Sequence, residues 1–203
     1  VEEDMTVLSG EGYDLTDNDL AKITAVINRG KLILDKESNV IVVKTIPRIS
    51  DVYLNGTVEE SGDGSVENPV KTMAEALYLV AEGGTVYVSG TVTVDGTESW
   101  NLNDNPNVTI KRSPDFNGTM FEIHGIFNLE NITVDGNKEN VSGSEKNWMF
   151  YVNGSKAELN MKAGTVLQNN STKSGGSAVF AYKGSFNMNG GVITDNQGGN
   201  GRR

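Results

Sequence analysis

The chain has 203 residues, a formal net charge of −10 and no cysteine. Disulfides, thiolate metal sites and a cysteine nucleophile are excluded, and nucleic acid is disfavoured because binding it takes a basic stripe. No run approaches the ~20 apolar residues of a membrane-spanning helix, so membrane insertion is not expected.

Composition favours strands and turns over a helical bundle: Gly is high at 24, Pro low at 4, and hydrophobic residues make up 36%. Gly and Asn supply positive φ at corners, and Thr and Val suit a pleated surface. The charge is uneven. Residues 1–69 carry −8 and residues 70–203 carry −2.

Residues 1–50 read as a small α+β module of one strand, one helix and a hairpin. Thr16 or Asp17 caps a helix, and Asp19 suits its positive end. Leu20, Ile23 and Ile27 form its apolar stripe, and Gly30 stops it. Two strands follow, at Lys31–Leu34 and Val40–Val43. Residues 51–69 read as an acidic, Gly-rich linker or opening loop. A second helix is expected over 72–82. Thr72 and Glu75 form its capping box, Met73, Ala76, Leu77 and Val80 its apolar face, and Gly83-Gly84 its end.

Beyond Gly84 the pattern becomes period two and repeats. Val86-Tyr-Val88-Ser-Gly90, Phe121-Glu-Ile123-His-Gly125, Phe150-Tyr-Val152-Asn-Gly154 and Phe180-Ala-Tyr182-Lys-Gly184 look equivalent. Their Gly-to-Gly spacings are 35, 29 and 30. A second strand follows each, at Thr91–Val94, Phe127–Leu129, Leu159–Met161 and Phe186–Met188. A third lies at Val108–Ile110, Ile132–Val134, Thr165–Leu167 and Val192–Thr194. One triplet buries too little to fold alone. Stacked about 4.8 Å apart, equivalent strands pair and equivalent side chains form files. Phe121, Phe150 and Phe180 are expected in one interior file. Asn128, Asn160 and Asn187 form an amide ladder or fill outward positions. External loops are expected at Asp95–Asn107, Gly136–Asn147 and Asn169–Gly176.

The expected fold is therefore mainly β: a right-handed parallel β-helix with an N-terminal helical cap, preceded by the α+β module. Residues 70–203 supply the capping helix and about four coils. With no signal peptide or sorting signal, and a Gly-rich stop at Arg203, the chain reads as a piece of something longer. Its uncapped last coil is a place for self-association.

Gly62-Asp-Gly-Ser65, Asn68–Leu77 and Gly83–Val88 resemble the opening segment of the pectate-lyase-like β-helix superfamily. Gly190-Gly-Val-Ile-Thr-Asp-Asn196 resembles coils of large Firmicutes surface proteins, and the module at 10–45 resembles those preceding β-helices in clostridial cell-wall proteins. That superfamily spans lyases, hydrolases, tailspikes and adhesins, so the resemblance implies architecture and a bacterial surface rather than one activity.

A lyase needs calcium-binding carboxylates and a base on one outer face. Lys111, Arg112 and Asp115 lie together and Asp104 and Asp135 fall nearby, yet solvated turn charges explain them better. A glycosidase needs paired carboxylates. Glu122 has Tyr151 and Ala181 at its register, and Glu130 has Lys162 and Asn189, so neither finds a partner. His124 falls among turn residues, which points to a surface turn. Calcium has no built site: Asp14, Asp17 and Asp19 lack the Gly and Glu of a calcium loop, and Asp63 suits a turn. Trp148 alternates with Phe150 and Val152, as a core residue would.

Exposed aromatic rings beside polar groups suit sugars. Trp100, placed in the first external loop, and Tyr151 with Glu122 are the candidate ligand-binding residues. The expected function is a non-catalytic bacterial cell-surface module that binds host or cell-wall glycan or a host surface protein. The alternatives are the N-terminal part of a polysaccharide lyase or glycoside hydrolase with active coils downstream, and a structural stalk.

Overall fold

A computed structural model describes residues 5–23, 31–44, 46–103, 107–141 and 143–199. Ile27, Gly30 and Asp104 lie outside them. The chain divides into two compact units, Val1–Pro47 and Arg48–Arg203, so the boundary falls slightly before residue 50.

In the first unit, β1 (Met5–Ser9), β2 (Lys31–Asp35) and β3 (Val40–Lys44) form an antiparallel sheet in the order β1-β3-β2. α1 (Asp17–Ala21) has its backbone entrance closed by Thr16 N donating to Asp19 Oδ2 at 3.0 Å. Asn39 adopts φ +53° at the hairpin corner. Its side-chain carbonyl accepts from Leu15 N at 2.7 Å, and its amide donates to Gly10 O and Tyr13 O.

The second unit is a parallel β-solenoid of three sheets. The sheets are visited in rotation, as a coil requires. Among the described residues, sheet I holds β4 (Ile49–Asn55), β5 (Val80–Gly90), β8 (Thr109–Arg112), β11 (Thr133–Asp135), β14 (Val166–Gln168) and β17 (Val192–Thr194), in that order. Sheet II holds β6 (Val92–Val94), β9 (Phe121–Ile123), β12 (Phe150–Asn153) and β15 (Val179–Tyr182). Sheet III holds β7 (Thr97–Asn101), β10 (Ile126–Glu130), β13 (Glu158–Met161) and β16 (Ser185–Met188). Every pairing within the three sheets is parallel.

α2 (Met73–Leu79) begins at the expected capping box, with Glu75 N donating to Thr72 Oγ1 and Thr72 N to Glu75 Oε2. Met73 and Ala76 are buried in the solenoid core and Leu77 packs against it. The helix is shorter than expected. It stops at Leu79 because Val80 already enters β5, and Gly83-Gly84 lie inside that strand. Gly84 permits close approach to β4: a Cβ there would sit 2.5 Å from Ser50 O.

Three expectations need correction. Residues 51–55 are not linker; they belong to β4, the first solenoid strand. Val86–Val88 is not the equivalent of Phe121–Ile123. It pairs with Ile110–Arg112 in sheet I, and Val92–Val94 takes the sheet II place beside Phe121–Ile123. The true corner glycine is Gly96, in register with Gly125 because Thr97 pairs with Ile126. Finally, Phe180 is not in the phenylalanine file. Val179 pairs with Phe150 and Phe180 with Tyr151, so this strand is slipped by one residue and Phe180 faces outward.

The interior is apolar and stacked. Phe121 and Phe150 stack at 5.1 Å between centroids, and Trp100 meets Phe127 edge-on at 4.4 Å. Asn128, Asn160 and Asn187 do form a ladder, and it runs on the outer wall of sheet III. Asn187 donates to Asn160 at 2.8 Å, Asn160 to Asn128 at 3.1 Å, and Asn128 to Ser99 Oγ at 3.0 Å.

Arg112 is fully buried, contrary to a solvated turn charge. Among the described residues no carboxylate pairs with it; oxygen dipoles satisfy it instead. Nε donates to Gly136 O, Nη1 to Gly118 O, and Nη2 to Asn147 O, Trp148 O and Asn170 Oδ1. Burial pulls its pKa down to about 10, so it stays charged near neutrality.

Candidate functional site

The three candidate residues do not converge. Trp100 lies on β7 and points inward, opposite Leu129. It is only 8% exposed and wedged against Phe121 and Phe127. It is therefore a core residue rather than a loop residue, because Asp95–Asn107 contains a strand. One edge borders a cavity of about 520 Å³ with Lys71, Met73, Val92, Asp95 and Glu98. Its Nε1 donates to Glu98 Oε2 at 3.1 Å.

Tyr151 and Glu122 are neighbours on the outer wall of sheet II. Strand alternation sends Phe121 and Ile123 inward and Glu122 outward, and likewise Phe150 and Val152 inward and Tyr151 outward. Register then builds two outward files. The first runs Thr93, Glu122, Tyr151, Phe180. The second, one step past Ile123 and Val152, runs His124, Asn153, Tyr182.

Glu122 is the node where these files meet. Its Oε1 accepts from Asn153 Nδ2 at 3.1 Å and lies 3.1 Å from His124 Nε2. His124 Nδ1 lies 2.9 Å from Asp95 Oδ1. The Asp95 bond, then the Glu122 bond and charge, raise the His124 pKa against partial burial. Burial, then Glu122 and Tyr182, push the Tyr151 phenol up. His124 is a surface residue as expected, but one of its two partners, Asp95, lies 29 residues away in sequence.

Aromatic rings extend the face. Tyr151 and Phe180 stack at 5.7 Å, and Trp148 stacks on Phe180 at 4.5 Å. Trp148 is buried, though not in the core. It lies outside with its Nε1 donating to Ser174 O at 3.0 Å, under the loop before β15. Sequence alternation missed this because a loop, not a sheet, covers it. Lys183 closes the far end, its Nζ 5.1 Å from the Tyr182 ring centroid.

The lyase constellation does not assemble. Arg112 faces inward and is fully engaged, while Lys111 lies outward, opposite Asp135. Asp135 is itself used structurally, accepting from Asn137 N, Gln168 Nε2 and Asn169 Nδ2. Asp63 closes a turn by accepting from Ser65 N. Among the described residues no three His, Asp or Glu side chains form a metal cage. No described helix is long and apolar enough to cross a membrane.

Fold and site together define a parallel β-solenoid that carries a polar and aromatic outer face on sheet II. Comparison with family models, with curated proteins and with solved structures gives no match.

Proposed function

We propose that the chain is a non-catalytic saccharide-binding module of a bacterial surface protein, and that sheet II carries the binding face. One observation supports this reading above others. On adjacent rigid rungs, the Glu122 carboxylate, the His124 imidazole and the Asn153 amide sit beside the half-buried Tyr151 and Phe180 rings. Sugars offer alternating hydroxyl donors and C–H faces, and such a surface meets both. Strands hold these groups in place, so little ordering entropy is lost on binding.

A glycan array run with and without calcium tests the reading. Selective binding is expected, with at least a tenfold loss in Tyr151→Ala and in Glu122→Gln. Binding to nothing under either condition refutes it. The second reading, a stalk, is favoured by the continuous Ser99–Asn128–Asn160–Asn187 ladder, which strengthens a rod without presenting a ligand.

A further inference from the structure

His124 is the chain's one histidine. Both of its ring nitrogens face carboxylate oxygens, Asp95 Oδ1 at 2.9 Å and Glu122 Oε1 at 3.1 Å. A neutral imidazole has one N–H and one lone pair. It can satisfy one of these carboxylates, while at the other its lone pair meets a negative oxygen. Only the imidazolium donates to both, so the geometry suits the protonated ring.

The contact also links rungs. Asp95 follows β6 in one coil; in the next, Glu122 lies on β9 and His124 directly follows that strand. Asn153, on β12 in the third, donates to the same Glu122 oxygen. The groups facing the ring are thus Asp95 from the preceding coil and Glu122 from the strand that leads into His124. Tyr151 and Asn153 of the following strand stand behind Glu122.

We propose that a proton on His124 assembles this face: the imidazolium holds Asp95 and Glu122 in position, and loss of the proton releases one of them. The consequence for ligand rests on the saccharide-binding reading. Glu122 is the node of that site, so affinity falls as the proton leaves. The assembly itself rests on geometry alone.

NMR of the labelled protein tests it directly, because a single histidine gives an unambiguous ring signal. His124 should titrate with a midpoint above the ordinary ~6.5. The Asn153 side-chain amide should shift with the same midpoint. Glu122→Gln and Asp95→Asn should each lower the His124 midpoint. Affinity for an array-identified glycan should fall several-fold as pH rises through that midpoint, and should be flat in His124→Gln. A His124 midpoint at or below ~6.5 overturns the proposal. So does an Asn153 amide that ignores the titration, or glycan affinity equally pH-dependent in His124→Gln. Coupled NMR titrations with an empty array would sustain the proton assembly and sink only the saccharide reading.

Discussion

Replacing Arg112 with methionine isolates the buried hydrogen-bonding fork of the solenoid. Methionine fills much of the aliphatic volume and removes every donor. Five acceptors lose a bond, but unequally. Trp148 O still accepts from Met120 N, and Asn147 O from Asn170 Nδ2. Gly136 O, Asn170 Oδ1 and the part-buried Gly118 O have no second donor among the described residues. Each orphaned buried acceptor costs about 1–3 kcal/mol. The two fully buried ones, Gly136 O and Asn170 Oδ1, less some relaxation of the corner loops, give a loss of about 3–5 kcal/mol. That is a large part of a typical domain stability of roughly 5–15 kcal/mol. Arg112→Lys keeps a charge but not the planar fork, so it should fall between the two. Urea unfolding read by tryptophan fluorescence measures this, since the Trp148 carbonyl is itself a ligand of the guanidinium. A loss below about 1 kcal/mol in Arg112→Met would show that water or loop movement replaces the fork, and the account would be wrong.

Other outcomes follow from the same geometry. Trp100→Ala should cost about 3–5 kcal/mol, as for other large core truncations, and its urea midpoint should drop whether or not glycan is present; a near-neutral effect would return Trp100 to the surface. Asn160→Ala removes one donated and one accepted amide bond from the middle of the ladder. A loss of about 1 kcal/mol is expected, and no change in the melting curve would make the ladder ornamental. His124→Gln should alter the pH dependence of stability. The folded pKa lies above the unfolded one, so the contribution is fully present below the unfolded value and lost as pH rises through the folded one. The His124 side chain is 41% exposed, so solvent screening limits the effect to about 0.2–1 kcal/mol. Urea midpoints of the two proteins should differ near pH 5.5 and converge near about pH 8.5; a constant gap would deny the ion pairs any role.

The solenoid was legible in the sequence because its physics is periodic. Alternation within strands and recurrence near 30 residues both follow from stacking, and Phe127, Leu159 and Phe186 fall in the expected register. What failed was phase. Val86–Gly90 imitates Phe121–Gly125 in residue type, and only its discrepant spacing of 35 betrayed it. With Gly96 in its place the spacings become 29, 29 and 30. That shift carries Trp100 from loop to core. Burial of Arg112 was illegible for another reason. A buried cation paired with carbonyls rather than carboxylates leaves no charge pattern to read, since carbonyls belong to every residue. The partners of His124 were hidden likewise, because Asp95 became its neighbour only once the first coil was phased correctly.

Strand phase also governs the outer face of sheet II. In the Phe121 and Phe150 rungs the aromatic side chains point inward and stack. If the last rung had kept that phase, Phe180 would lie inside and Ala181 beside Tyr151. The one-residue slip reverses this. It gives up a phenylalanine from the interior file, worth roughly 1.5–3 kcal/mol of burial. In return the outer wall gains a ring that stacks on Tyr151 and Trp148. The slip also brings Tyr182 outward at 49% exposure, in register with Asn153. The aromatic end of the face thus exists because one strand departs from the repeat, while Glu122, His124 and Asn153 at its polar end obey it. The substitution Val179→Ala would strip the interior contact that holds the slip. If the face binds ligand through its aromatic end, that variant should lose affinity while Glu122 and His124 remain in place.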